Sequence, residues 1–224
     1  SATITITDTT PPTIDVVSVD ETVECDGSGN TAELQAWLDA NGGAVASDVC
    51  SDVTWTNDYT FLSDDCGMTG TALVTFTATD DCGNATTTSA TFTIEDTTDP
   101  SIDTAAEDLD LECDDTNQQA VIDAWLLNNG GATSSDVCNT EAVTWTNDYT
   151  VGGENTDCGA SGSVLVTFTA TDNCGLESTT SATITISDNT PPTIDVVAIN
   201  EVVECDGLGN QAELDAWLLS NGGA

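Results

Sequence analysis

The sequence predicts a mainly β chain of tandem sandwich repeats, each about 88–92 residues long and carrying one short α-helix. Three observations carry that expectation. The hexapeptide SATITI at 1–6 returns as SATFTI at 89–94 and as SATITI at 181–186. A proline-bearing turn follows each copy: DTTPPTID from Asp8, DTTDPSID from Asp96 and DNTPPTID from Asp188. Cys25, Cys113 and Cys205 mark one point in successive units, 88 and then 92 residues apart, and periodicity on this scale marks a repeat array. The extra residues of the second unit fall before Trp145 and before Cys158, as loop insertions do. The expected organisation is the last strand of a preceding repeat at 1–7, whole repeats at 8–95 and 96–187, and the first part of a following repeat at 188–224. Neither end reads as a natural terminus, so the stretch is expected to belong to a longer array.

Within a unit, VTWTNDYT (53–60 and 143–150) and ALVTFTATD or VLVTFTATD (72–80 and 164–172) alternate with period two and are rich in Val, Thr and aromatic residues. Asp81-Cys82-Gly83-Asn84 is a turn signal between two such strands, and Pro-Pro at 11–12 and 191–192 sits where units join. One helix interrupts the strands. Asn30-Thr31-Ala32-Glu33 reads as a capping box, Leu34, Trp37 and Leu38 share a face, and Gly42-Gly43 is a stop signal. The second copy keeps Trp125, Leu126 and Gly130-Gly131. Short strands with Gly and Pro turns at this unit size predict an immunoglobulin-like β-sandwich, with the helix capping one side and the tryptophans in the core.

Composition narrows function before any motif does. The 224 residues include 40 Asp plus Glu and no Lys, Arg or His, a formal charge of −40. Ordinary usage would supply roughly 25 basic residues. Nothing here neutralises a phosphate, which excludes nucleic acid and anionic membrane surfaces as partners. Ser–His pairs, Schiff-base lysines and guanidinium clamps are all absent, so no enzyme is expected. Disorder is not expected either, because 38% of residues are hydrophobic and five are Trp. A compact body of this mass exposes on the order of 9,600 Å². Its charges would then sit roughly 15 Å apart, beyond the ~8 Å screening length of physiological salt. Hydrophobic runs are only a few residues long, so no membrane insertion is expected.

Nine cysteines resolve into four per unit: Cys25, Cys50, Cys66 and Cys82, then Cys113, Cys138, Cys158 and Cys174, with Cys205 left over. An even set per small repeat predicts disulfides and an oxidising, extracellular setting. Zinc is disfavoured, since there is no CxxC spacing and no His. Strand direction ranks the pairings. If VTWTNDYT runs down and ALVTFTATD runs up, Cys50 and Cys82 lie at the upper end, while Cys66 and the end of the TVEC strand lie at the lower. The expected bridges are Cys50–Cys82 and Cys25–Cys66, repeated as Cys138–Cys174 and Cys113–Cys158, with the partner of Cys205 outside the stretch. Each would contribute roughly 3–4 kcal/mol by restricting the unfolded chain.

ATDDCGN and ATDNCGL after a VTFT strand, the VECD strand end and the DTTPP joint together resemble hyalin-repeat (HYR)-like, immunoglobulin-like domains. The likeness is to the variants arrayed in large secreted surface proteins of Bacteroidota. It covers essentially the whole chain and implies stalks, adhesins or filaments. The helix at 31–40 departs from it, because a hyalin repeat has more strand there. Asp8-Thr9-Thr10, Asp96-Thr97-Thr98 and Asp103-Thr104-Ala105 resemble the O-glycan acceptor pattern of that phylum, making Thr9, Thr97 and Thr104 candidates. Asn84-Ala85-Thr86 is a single, weak N-glycosylation sequon.

Acidic pairs recur at Asp64-Asp65, Asp80-Asp81 and Asp114-Asp115. A glycosidase needs two carboxylates across a cleft, and nothing here reads as a cleft-forming insertion. Calcium suits the composition better, since it takes six to eight oxygen ligands. The strand directions bring Asp96, at the lower end of one unit, to Asp136 and Asp172 at the upper end of the next. The corresponding set at the first joint is Asp8, Asp48, Asp80 and Asp81. Such carboxylates also serve as solvated turn formers. Asp26-Gly-Ser-Gly-Asn30 faintly resembles a calcium loop but reads better as the lead-in to the helix. The functional expectation is an extracellular structural array, a stalk or filament at the bacterial cell surface. Its partners are neighbouring repeats of the same chain or filament, with covalent glycans attached. The rivals are an adhesin module that binds a surface glycan and a spacer within a larger secreted enzyme.

Overall fold

The structure is a computed structural model that describes residues 1–113, 116–151, 155–156 and 161–224. One order of elements occurs twice. The first copy runs β1 (Thr13–Val16), β2 (Glu21–Glu24), α1 (Thr31–Asp39), β3 (Val45–Ser47), β4 (Thr54–Asn57), β5 (Gly70–Thr79) and β6 (Ala85–Glu95). The second runs β7 (Ser101–Thr104), β8 (Leu109–Glu112), α2 (Gln118–Leu127), β9 (Thr133–Ser135), β10 (Thr144–Asn147), β11 (Asn155–Thr156), β12 (Gly162–Thr171) and β13 (Glu177–Ser187). A last helix, α3 (Gln211–Leu219), repeats α1. The fold is mainly β, as the alternating Val, Thr and aromatic segments predict.

Each copy has a four-strand path, β2-β6-β5-β4 and β8-β13-β12-β10, faced by a two-stranded ribbon, β1-β3 or β7-β9. The long hairpin β5-β6 is antiparallel, β4 runs antiparallel to β5, and β2 lies parallel to β6. Thr54 opposite Thr79 in one copy becomes Thr144 opposite Thr171 in the other. The ends of β2 and β6 thus define the lower end of each copy, and the turn after β5 or β12 its upper end.

Period two sets the core. Ala72, Val74, Phe76 and Ala78 of β5 face inward with Ala90, Phe92 and Ile94 of β6, whereas Leu73 on the opposite face is 72% exposed. Helix α1 closes this face. Trp37 meets Phe76 edge-on at 5.2 Å between ring centres and Phe92 at 5.4 Å. Its indole N–H donates to the Val19 carbonyl at 3.2 Å. Trp125 repeats both contacts, on Phe168 at 5.1 Å and on Glu107 O at 3.0 Å. The Gly42-Gly43 stop is real. Gly42 sits at φ +62, and a Cβ there would lie 3.0 Å from both Phe76 and Ser18.

Two expectations need correction. The capping box is not formed: Asn30 adopts φ +47 and makes no side-chain cap. Its side chain instead ties the approach to the helix, Nδ2 donating to Glu24 O at 2.8 Å and Oδ1 accepting from Asp26 N–H. SATITI at 181–186 lies within β13, beside β12 and β8. The chain also exposes 13987 Å², well above the ~9,600 Å² of one compact body. That leaves about 350 Å² per acidic group and still weaker self-repulsion in salt than compactness implied. Among the described residues no helix is long and apolar enough to cross a membrane.

The two faces of β5 make the core assignment testable. Phe76→Ala should cost about 3–5 kcal/mol in urea unfolding, while Leu73→Ala, three residues away, should stay within about 0.5 kcal/mol of the parent.

Candidate functional site at the repeat joint

The lower end of the first copy abuts the upper end of the second. Met68 N–H donates to Cys138 O at 2.8 Å across this joint. Gly27, at φ +73, lets Val137 approach so closely that a Cβ would lie 2.6 Å from the Val137 carbonyl oxygen. Gly67, at φ +57, does the same under Cys138.

Four cysteines meet there, and the pairing differs from the expected one. Cys25 is bonded to Cys138 and Cys66 to Cys174, with Cα separations of 5.9 and 5.1 Å. Strand direction places the ends correctly, with Cys25 and Cys66 low on one copy and Cys138 and Cys174 high on the next. It does not say which sulfurs join once two ends are pressed together. The expected Cys25–Cys66 and Cys138–Cys174 bridges are replaced by two that cross the joint. Cys50 and Cys82, at the upper end of the first copy, are exposed and not bonded to each other. Cys158 of the expected Cys113–Cys158 bridge lies outside the described residues, and Cys205 is exposed.

The carboxylates converge beside the sulfurs. One oxygen each from Asp96 and Asp136 and the sulfur of Cys138 lie within 4.8 Å of one another. The same grouping recurs at the first joint with Asp8, Asp48 and Cys50. Each aspartate spends Oδ1 on a turn: Asp96 accepts from Thr98 N–H at 3.2 Å, Asp136 from Cys138 N–H at 2.8 Å, and Asp172 from Cys174 and Leu176 N–H at 2.8 and 2.9 Å. Oδ2 of Asp96, Asp172 and Asp8 is buried without a partner, and Asp172 as a whole is 7% exposed. Burial first, then the charges of Asp136, Asp172 and Glu24, push the Asp96 carboxyl above its ordinary value.

One difference between the two joints bears directly on these oxygens. Asn84 Nδ2 donates to Asp80 Oδ2 at 2.7 Å and to Asp8 O at 3.4 Å, the main reason the Asp80 carboxyl is held low. Leu176 takes that place in the second copy, which strips Asp172 Oδ2 of its donor. Asp81 does not join the cluster: it is exposed, and its backbone N–H donates to Ser51 Oγ at 3.2 Å. A glycan on Asn84 Nδ2 would replace one of that nitrogen's two hydrogens and so cost at least one of these hydrogen bonds.

Glu24 was not singled out in the sequence, yet it fixes the linker. Its carboxylate accepts from Thr97 N–H at 3.0 Å, Thr97 Oγ at 2.7 Å and Thr98 Oγ at 2.8 Å. These bonds, led by Thr97 N–H, hold its carboxyl below its ordinary value. Glu112 repeats the clasp on Asn189. The available signal is the Glu that directly precedes Cys25 and Cys113, each time one repeat ahead of an Asp-Thr-Thr or Asp-Asn-Thr turn. Asp26 is likewise held low, first by Asn30 N–H and then by Ser28, so the 26–30 loop serves the helix, as expected.

No family model matches this chain, and no curated protein matches it. Solved structures do. Drosophila N-cadherin EC1-4 is 10% identical with a TM-score of 0.33, covering 80% of this chain and 50% of that one. Mouse Cadherin-23 EC22-24 is 15% identical with a TM-score of 0.33, covering 79% and 67%. Sidekick-1 immunoglobulin domains 1-4 are 13% identical with a TM-score of 0.34, covering 79% and 49%. The chain spans about half the length of the N-cadherin and Sidekick-1 chains.

Glu24→Gln should loosen the linker, read as faster amide exchange at Thr97 and Thr98. The pH dependence follows from the lowered carboxyl. The clasp contributes fully above the unfolded carboxyl's value near 4.5 and is lost as pH falls through the lower folded value.

Proposed function

We propose that the chain is a stretch of a structural array of immunoglobulin-like repeats, an extracellular stalk or filament whose joints are stiffened by calcium. Its repeats are taken as 8–95 and 96–187, and their partners are neighbouring repeats. The observation that carries this reading is the joint, where Asp96 converges with Asp136 and feels the charge of Asp172, Oδ2 of Asp96 and of Asp172 is buried without a partner, and the chain has no cationic side chain to offer them. Like charges so placed raise each other's proton affinity unless a cation intervenes. A hard divalent ion takes carboxylate oxygens, and calcium tolerates an irregular set of them better than magnesium does. Asp96, Asp136 and Asp172 would hold the ion at the second joint, and Asp8 and Asp48 at the first. At the first joint the Asn84 amide already satisfies Asp80, so the second is the stronger site. Cys138 contributes no thiolate there, because its sulfur is bonded to Cys25.

The structural reading is favoured over an adhesin because, among the described residues, the two copies expose no large aromatic patch that sets one apart from the other. Phe61 is 74% exposed and Val151 takes its place in the next copy at 73%, and one ring does not make a patch. Likeness to secreted hyalin-repeat arrays, carried by ATDDCGN and the DTTPP joint, agrees with an extracellular, cell-surface setting. Thr9, Thr97 and Thr104 are all exposed, which suits O-linked glycans. The Thr97 hydroxyl is bonded to Glu24, so Thr9 and Thr104 are the freer acceptors.

Millimolar calcium should raise the melting temperature by several degrees for each ~1 kcal/mol of binding. No shift after exhaustive chelation and calcium return would overturn the metal. Asp96→Asn should melt higher than the parent without calcium, because it removes a charge the joint disfavours, and should lose most of the calcium response. For the glycans, the mass of this stretch cut from natively produced protein should exceed its bare 23.0 kDa by whole sugar residues.

A further inference from the structure

The two bridges of the joint lie far apart along the chain although they close on the same pair of repeat ends. Cys25 bonds to Cys138, 113 residues further on, and Cys66 bonds to Cys174, 108 residues further on. Cys25 directly follows β2, and Cys174 lies in the turn between β12 and β13. The stretch 26–137 between the first two sulfurs holds α1, β3 to β6, the linker with Asp96 and Pro100, and then β7, β8, α2 and β9. The long strands that bury Val74, Phe76, Phe92 and Ile94 are therefore inside it.

A folded sheet yields to tension by losing hydrogen bonds, whereas a disulfide yields only by rupture or by exchange with a thiol. Tension between the two ends of the chain follows the shortest covalent path. That path enters along residues 1–25, crosses one S–S bond to Cys138 and leaves through 138–174. The second bridge supplies a parallel arm, through 25–66 and across to Cys174. The arms span 36 and 41 residues, so they share the pull nearly evenly once drawn out.

We propose that the Cys25–Cys138 and Cys66–Cys174 pair is a mechanical shunt, which carries tension from one repeat to the next past the peptide linker and past the core of the first copy. The linker then sets geometry and takes no pull. Asp96 and Asp136 both lie in the bypassed stretch, so the carboxylates of the joint keep their spacing under load. The shunt is also redundant. Reduction of one bridge leaves the other still bypassing 108 or 113 residues. The inference rests on the array reading, in which repeats are pulled end to end.

Stretching the full chain between non-thiol anchors at its two ends tests the shunt. Reductant should lengthen the fully stretched chain by 113 residues, about 400 Å of extended backbone. The double variant Cys66→Ser, Cys174→Ser should show the same gain, and Cys25→Ser, Cys138→Ser a gain of 108 residues. A fully stretched length does not depend on how stable each variant is. Bridges closed within the copies, Cys25–Cys66 and Cys138–Cys174, would hide only 41 and 36 residues, and a gain no larger than those spans together overturns the proposal. A cut in the linker gives the second measurement. Asp99-Pro100 is the only Asp–Pro bond in the sequence and is cleavable in dilute acid, which spares disulfides. The cut chain should hold its tether until reductant is added; parting without reductant overturns the shunt. Either failure leaves the array reading standing, because the calcium-dependent rise in melting temperature tests that reading by itself.

Discussion

The meeting of two repeat ends is the constraint on which the rest depends. Gly27 and Gly67 allow the backbones to touch, and two disulfides close over that contact. The same approach drives Asp96 against Asp136 and Asp172. Covalent attraction and uncompensated charge thus occupy the same few ångströms. A joint of this kind is held by its sulfurs, while Oδ2 of Asp96 and of Asp172 stands buried without a donor.

A chain with no cationic side chain must anchor its carboxylates on N–H and O–H donors. Asp26 gathers Ser28 and Asn30, Asp80 gathers Cys82 and Asn84, Glu24 gathers Thr97 and Thr98, and Glu112 gathers Asn189. Each carboxylate thereby orders a turn or linker where another protein would use a salt bridge, and the charge-assisted bonds are strong for their kind. Asp96 and Glu24 show the two outcomes side by side. Three donors hold Glu24 low, while burial and acidic neighbours push Asp96 up. The replacement of Asn84 by Leu176 is the same contrast written as one substitution.

Much of the fold was legible because its signals are local. Alternation in ALVTFTATD placed Val74 and Phe76 inward, the Leu34-Trp37-Leu38 stripe placed α1 on the sheet, and Gly42-Gly43 ended it. Antiparallel order put Cys25 and Cys66 at one end and Cys138 and Cys174 at the facing one. The capping box misled because its motif matches a common local geometry, whereas Asn30 is recruited by Glu24 and Asp26 before the helix starts. Asp81 was grouped with the joint by adjacency in sequence, yet neighbouring residues on a turn point apart.

The sequence by itself determined the repeat, the strand periods, the charge and which cysteines lie at which end, since each is a property of composition or short-range order. Only the tertiary structure decided which sulfurs bond and which carboxylate oxygens are left without donors. The sulfurs state the reason most plainly. Cys25 and Cys66 share one end, yet each bonds to a cysteine of the facing end, because a disulfide forms only between sulfurs that the fold brings within reach. Carboxylate satisfaction obeys the same logic, since it too depends on what stands opposite.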